Sequence, residues 1–206
     1  MKFEWRKHAK EYYLPKTSPV LIDVPEFNFI TIKGSGNPNS SEFADRVAAL
    51  YALSYATKMS PKKGINPVGY FEYTVFPLEG VWDINDEAKL ASSWTKDQLV
   101  YQLMIRQPDF VSIELFNQIR EMLCAKDSNS LLRDIELIKL TDDRVVQCLH
   151  IGSYDDEAAT FAKMEQFCLD NDLQRKSKTH REIYLSDARK VAPEKLQTVL
   201  RFEVLK

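Results

Sequence analysis

His180, Glu182 and Tyr184 alternate along the stretch Lys178-Thr179-His180-Arg181-Glu182-Ile183-Tyr184-Leu185-Ser186-Asp187. The stretch reads as a late β-strand, and successive side chains of a strand point to opposite faces. An imidazole, a carboxylate and a phenol therefore share one face, while Thr179, Arg181, Ile183 and Leu185 share the other. With Ile183 and Leu185 turned to packed core, the polar trio faces either water or a cavity. A carboxylate desolvated by aromatic walls has a raised pKa, which suits general acid–base work, and its charge complements a cation. Aromatic faces add contact area and cation–π attraction. Tyr70, Tyr73, Trp82, Trp94 and Tyr101 lie on or near expected strands. Taken singly, each of them is read first as core, and Trp82 is the exception because it follows a proline and glycine break. Together these groups suit a flat, apolar or cationic compound.

Other chemistries find no signature. His8, His150 and His180 are far apart, and HxxxH, HExxH and CxxC patterns are absent, so no metal and no cofactor is expected. Gly34-Ser35-Gly36 lacks the context of a nucleotide-binding loop and reads as a strand-to-helix turn; GxSxG is absent. The three cysteines, Cys124, Cys148 and Cys168, are odd in number, widely spaced and set among apolar residues. Buried free thiols in a reducing cytosol fit them better than disulfides or zinc. A net charge of −2 over 206 residues offers no basic excess for phosphate backbones. No apolar run reaches the length of a bilayer, and the N-terminus lacks an apolar signal core. A cytoplasmic chain is expected, with neither nucleic acid nor membrane as a direct partner. At 44% hydrophobic residues the chain can bury one large core or two small ones.

The elements that must position the trio follow from pattern. Residues 1–19 read as an extended lead-in. Strands over 20–23 and 27–33 precede Gly34. Asn39 is the expected N-cap, with Glu42 as its capping-box partner, of a helix over about 40–58. An aromatic strand over 68–77 follows, then Leu78 to Asp83, a short helix over about 86–92 and a strand over 97–106. Ser112 caps a helix to about 126. The second half brings strands over 135–139 and 145–151, Gly152, and a helix opened by Asp155 or Asp156 that carries Phe161, Met164 and Cys168. After the opening strand come a polar connection to residue 195 and a closing strand over 198–205. The order strand, strand, glycine, helix, strand, strand thus occurs twice, with Gly34 matching Gly152 and residues 70–76 matching 180–186. In that alignment Glu72 falls opposite Glu182. The duplication implies one α+β domain over 1–206, with repeat one at about 20–127 and repeat two at about 128–206. The copies are expected to merge into an antiparallel sheet with helices on one side.

Three segments together resemble the GyrI-like small-molecule-binding proteins: Pro77-Leu78-Glu79-Gly80-Val81-Trp82, Met104-Ile105-Arg106-Gln107-Pro108-Asp109-Phe110, and Arg181-Glu182-Ile183-Tyr184-Leu185-Ser186-Asp187. The resemblance covers about 20–206. It implies a duplicated βαββ fold, the tandem SHS2 arrangement, with a ligand cleft between the repeats. By the same resemblance Glu182 lies in that cleft and faces cationic or polar aromatic ligands, with Trp82 and Tyr184 at matching family positions. Tyr70, Tyr73, Glu79, Tyr101, Met104 and His180 are the further candidates for lining it. Related domains serve multidrug-responsive transcription activators and gyrase-inhibitory proteins, so gyrase is a candidate protein partner. Residues 1–19 are too short for a helix-turn-helix, and direct DNA regulation is not expected. Some standalone members hydrolyse the strained cyclopropane of DNA-alkylating natural products. That activity would use Glu182 as base toward water, Tyr184 as a donor to the carbonyl oxygen, and aromatic residues to hold the planar ligand. A sequestering or sensing module without turnover is the alternative.

Overall fold

The computed structural model describes residues 2–126 and 130–205. The repeat boundary expected at 127/128 lies outside the described residues. The helices are α1 (Trp5–His8), α2 (Lys10–Tyr13), α3 (Ser41–Lys58), α4 (Asp86–Leu90), α5 (Ile113–Cys124) and α6 (Glu157–Asp170). The strands are β1 (Val20–Val24), β2 (Phe27–Ser35), β3 (Leu78–Ile84), β4 (Leu99–Gln107), β5 (Glu136–Leu140), β6 (Asp143–Ile151), β7 (Gln174–Arg175), β8 (His180–Tyr184) and β9 (Gln197–Leu205). The fold is α+β, and the strand pairs described below are antiparallel. Chain contacts group it into two compact units: Met1–Glu4, Phe27–Phe76 and Ile84–Leu140 form one, and Trp5–Glu26, Pro77–Asp83 and Thr141–Lys206 form the other. Among the described residues no helix is long and apolar enough to cross a membrane.

In unit one β2 pairs with both β4 and β5, so Ile30 stands between Ile105 and Leu137. Phe29, Ile30, Leu103 and Ile105 are buried, as are Leu50 and Leu53 of α3 and Phe116 and Ile119 of α5. Ser40, not Asn39, caps α3: its side chain accepts the Phe43 N–H. Asn39 instead donates its own N–H to the Asn37 side chain in the preceding turn. Ser112 caps α5 by accepting from Leu115 N–H, as expected. Cys124 is only partly buried, unlike the other two thiols.

The aromatic strand expected over 68–77 does not form. Only Tyr73 makes a bridge, to Phe3. The rings pack on one another instead, with Tyr70 and Phe71 at centroid distances of 5.2 Å and 5.4 Å from Phe110. High β-propensity reports a fit to a half-buried pleated surface, and ring clustering satisfies the same apolar demand without a ladder. Glu72 is exposed and lies outside any strand, so it takes no place in a ladder with β8. The partner of β8 is β3, with Gly80 directly across from Glu182.

In unit two the strands run β1–β6–β9–β8–β3, with β7 on β9. Met164 and Cys168 of α6 pack on Val146, Cys148, Leu200 and Phe202. Cys148 and Cys168 are buried free thiols, and burial raises the pKa of each. The expected lead-in is folded here. Trp5, Ala9 and Tyr13 are buried at the i, i+4, i+8 spacing of one helical stripe. Carbonyls of Glu11, Tyr12 and Lys16 accept hydrogen bonds from Gln147, Arg201 and the Leu149 N–H.

Candidate functional site

The alternation of β8 separates two environments. Arg181 and Ile183 are buried on one face, while His180, Glu182 and Tyr184 are half-buried on the other. The Tyr184 hydroxyl donates to Glu182 Oε2 at 2.8 Å, and His180 Nε2 lies 3.1 Å from Oε1. The Tyr184 oxygen in turn accepts from Trp82 Nε1–H at 2.8 Å. Strand pairing explains the reach of the indole. Trp82 stands opposite His180, and Gly80, opposite Glu182, puts no side chain between Trp82 and Tyr184. Both ring nitrogens of His180 face acceptors, since Nδ1 is 3.3 Å from the Lys178 carbonyl. Only the doubly protonated ring would donate to both.

The turn before α6 and the first turn of α6 complete the cluster. The Tyr154 ring meets Tyr184 edge-on at 5.8 Å, and Phe161 meets His180 edge-on at 4.8 Å. Glu157 is 7% exposed, and its Oε1 has no hydrogen-bond partner. Burial first, then the charge of Glu182 and a hydrogen bond to it, and the charge of Asp155 push the Glu157 carboxyl up to about 9. Burial and the same Glu182 charge raise Tyr184 well above the usual phenol range and Tyr154 to about 12. Glu157 therefore holds its proton at neutral pH beside the Glu182 carboxylate. A buried acid that keeps its proton beside a second carboxyl group suits acid–base chemistry.

On the opposite face the carboxylates meet arginines. Glu79 is 1% exposed and accepts from Arg181 Nη1 at 3.0 Å and from the Tyr13 hydroxyl at 3.2 Å. Asp142 accepts from Arg181 at 2.6 Å and from Arg201 at 3.0 Å. Arg201 also reaches Gln147 Oε1 at 2.9 Å. Burial raises the Glu79 carboxyl, and the neighbouring guanidinium charges oppose that rise.

The sequence profile of the GyrI-like small molecule binding domain matches residues 17–204. The chain belongs to this family. It is 34% identical to a solved hydrolase structure from Listeria innocua, with a TM-score of 0.91 and 100% of both chains covered. A second hydrolase structure from Listeria innocua is 33% identical, with a TM-score of 0.89, covering 98% of this chain and 100% of that one. The EcmrR C-terminal domain, at 14% identity and a TM-score of 0.56, covers 92% of this chain and 98% of its own and shares the fold. No curated protein matches significantly.

Within this GyrI-like domain, Trp82, His180, Glu182 and Tyr184 come together as one hydrogen-bonded cluster. Glu79 shares β3 with Trp82 but turns to the other face and is held by Arg181. The other candidates belong to unit one. Tyr73, Tyr101 and Met104 are buried there, Tyr73 among the rings of Phe71 and Phe110. Tyr101 packs edge-on against Phe43 at 5.2 Å and covers Gly34, where an added Cβ would come within 2.4 Å of the ring. The Tyr70 hydroxyl donates to the Lys58 carbonyl at 2.9 Å. Trp94 is 50% exposed. Among the described residues no group of His, Cys, Asp and Glu is gathered to hold a metal. An open cleft of about 420 Å³ beside α6 is lined by Glu165, Cys168, Leu173, Arg175 and Lys178. Its charged groups satisfy one another through the Glu165 ion pairs.

Tyr154 and Glu157 were not legible as site residues from spacing alone. A signal for Glu157 does exist: it precedes Thr160, Met164 and Cys168 on the stripe that α6 buries. An acid on that stripe needs either a counter-ion or a proton.

Proposed function

We propose that this GyrI-like domain binds a planar, electrophilic small molecule against the half-buried face of β8 and opens its strained ring with water, protecting the cell from DNA-alkylating compounds. The observation that carries the reading is the Glu182 carboxylate, held by Tyr184 and His180 beside a Glu157 that keeps its proton. A carboxylate fixed by such contacts is oriented to accept a proton from water. In the proposed step the water oxygen bonds to the electrophilic ring carbon as one cyclopropane C–C bond breaks. The released electron pair moves into the conjugated carbonyl. Glu182 takes the proton from water, and Glu157 delivers its own to the oxygen that gains charge. One water is added overall, and transfer of the proton from Glu182 to Glu157 restores the pair. Tyr184, already committed to Glu182 and Trp82, positions the base and does not serve as the donor. Tyr154, 38% exposed, offers a ring face to a planar ligand, while Trp82, 5% exposed, serves by holding the Tyr184 hydroxyl. The two Listeria innocua hydrolases, at 33% and 34% identity over essentially the whole chain, support a hydrolytic reading.

The test is incubation with a cyclopropane-bearing DNA-alkylating compound, followed by mass spectrometry for a ring-opened product heavier by one water. Glu182→Gln should lower turnover by roughly 10²–10⁴-fold while ligand still quenches tryptophan fluorescence. Wild-type turnover in that variant would remove the base role. Binding by the wild type without product would leave a sequestering module.

A further inference from the structure

We propose that His150 is a positioning residue, whose imidazole ties the turn before α6 and the first turn of α6 to the end of β6 and so sets where Tyr154 and Glu157 stand against Glu182. The inference rests on the reading of Glu157 and Glu182 as the acid–base pair.

His150 is 4% exposed on β6. Its Nε2 lies 3.0 Å from the Ser153 carbonyl and its Nδ1 lies 2.9 Å from Thr160 Oγ1. A carbonyl only accepts, so Nε2 carries a proton; in the neutral ring Nδ1 then accepts from the Thr160 hydroxyl. The Ser153 carbonyl also accepts the Asp156 N–H at 2.9 Å. The chain wraps closely around the ring. Gly152 has φ +144°, and a Cβ there would come within 3.3 Å of His150 Nε2.

The need for such a tie is visible in the helix itself. Ser40, Asn85 and Ser112 cap α3, α4 and α5 with their side chains, but Asp156 gives α6 no side-chain cap bond. The turn that leads into α6 is held by Ser153, whose hydroxyl accepts the Asp155 N–H at 3.3 Å, so the hold on this helix start depends on where Ser153 stands. Thr160 lies one turn after Glu157 on the same helical face, so holding Thr160 holds Glu157. Tyr154 sits within the wrapped turn. The imidazole therefore fixes the two site groups that do not come from strands, while β3 and β8 fix the rest.

Glutamate carboxyl titration by carbon-13 NMR in ligand-free protein tests this, with Glu157 assigned by the loss of its signal in Glu157→Gln. The groups that face Glu157 are Glu182 and Tyr184 from β8 and Tyr154 and Asp155 from the turn, with His180 reaching Glu182 along the strand. Loosening the first turn admits water and separates Glu157 from Glu182, so its midpoint should fall. Thr160→Val and His150→Phe should lower that midpoint by at least about one unit, a tenfold loss of proton affinity. Thr160→Ser, which keeps the hydroxyl, should leave it in place. If His150→Phe does not fold, Thr160→Val still reads the tie. An unmoved midpoint in folded Thr160→Val, an equal fall in Thr160→Ser, or a wild-type midpoint in the ordinary carboxylate range would overturn the role. Because no ligand is present, the outcome is separable from the proposed activity: full turnover in Glu182→Gln removes the base and leaves this titration untouched.

Discussion

On one face of β8, Glu79 and Asp142 are buried against Arg181 and Arg201; on the other, Glu157 and Glu182 are gathered with no arginine bonded to either among the described residues. Both faces bring carboxylates out of water, which is costly unless the charge is cancelled. The first face cancels it with guanidinium groups that sit in bonded geometry and do not exchange. The second cancels half of it with a proton, because Glu157 is pushed up to about 9. A proton can leave and return, and a bound arginine cannot. Burial alone therefore does not mark a site. What separates the two faces is whether the neutralising partner is mobile.

The sharpest break of that comparison is Arg181→Met. It strips both Glu79 and Asp142 of a bonded cation in a buried setting, and removing one partner of such a network costs about 3–5 kcal/mol. Urea unfolding at neutral pH should show that loss. Glu157→Gln replaces a side chain that must take up a proton on folding by one that is already neutral and donating, so at the same pH it should cost nothing and instead raise stability. Equal losses in the two variants would erase the distinction between fixed and exchangeable neutralisation.

The pH dependence of the second face has a definite sign. Glu157 ionises near 4.5 when free and near 9 when folded. Below about pH 4.5 both states hold the proton. Between 4.5 and 9 the folded state binds more protons than the unfolded state, so stability from this group falls as pH rises. Above 9 the loss is complete. The melting temperature of wild type relative to Glu157→Gln should therefore decline steadily from pH 5 to pH 9 and then level off. A flat difference across that window would mean that Glu157 is not the protonated partner.

Pattern in the sequence carried the architecture wherever one periodicity dominated. The alternation His180, Glu182, Tyr184 against Arg181, Ile183 is what β8 shows, and Ser112 caps α5 as its spacing suggests. Where two signals competed, tertiary packing decided. Residues 70–76 have strand composition, but their rings cluster with Phe3 and Phe110, so the expected opposition of Glu72 and Glu182 gives way to Gly80 and Glu182. In the lead-in, the stripe Trp5, Ala9, Tyr13 was hidden by interleaved charges and the prolines beyond it. Glu157 was hidden for a different reason. An acid in the first turn of a helix is ordinarily explained by the helix dipole, and only the position of Glu182 in space shows that this one faces a second carboxylate.

The mildest expected effect comes from Trp82→Phe. It deletes the indole N–H that Tyr184 accepts but leaves the Tyr184 hydroxyl free to keep donating to Glu182. The lost bond is neutral to neutral, so it contributes about 0.5–1.5 kcal/mol, measurable by urea unfolding. The indole bond lowers the Tyr184 pKa, against the larger upward pull of burial and the Glu182 charge. Its removal should push the phenol up further, and an ultraviolet tyrosinate titration would register the change. Turnover should fall less than in Glu182→Gln, since the base and the protonated Glu157 both remain. One deleted hydrogen bond on the arginine face would strand a charge, whereas here it strands only a lone pair on a hydroxyl that keeps its donor role. A Trp82→Phe loss as large as that of Arg181→Met would show that the indole holds more than this bond.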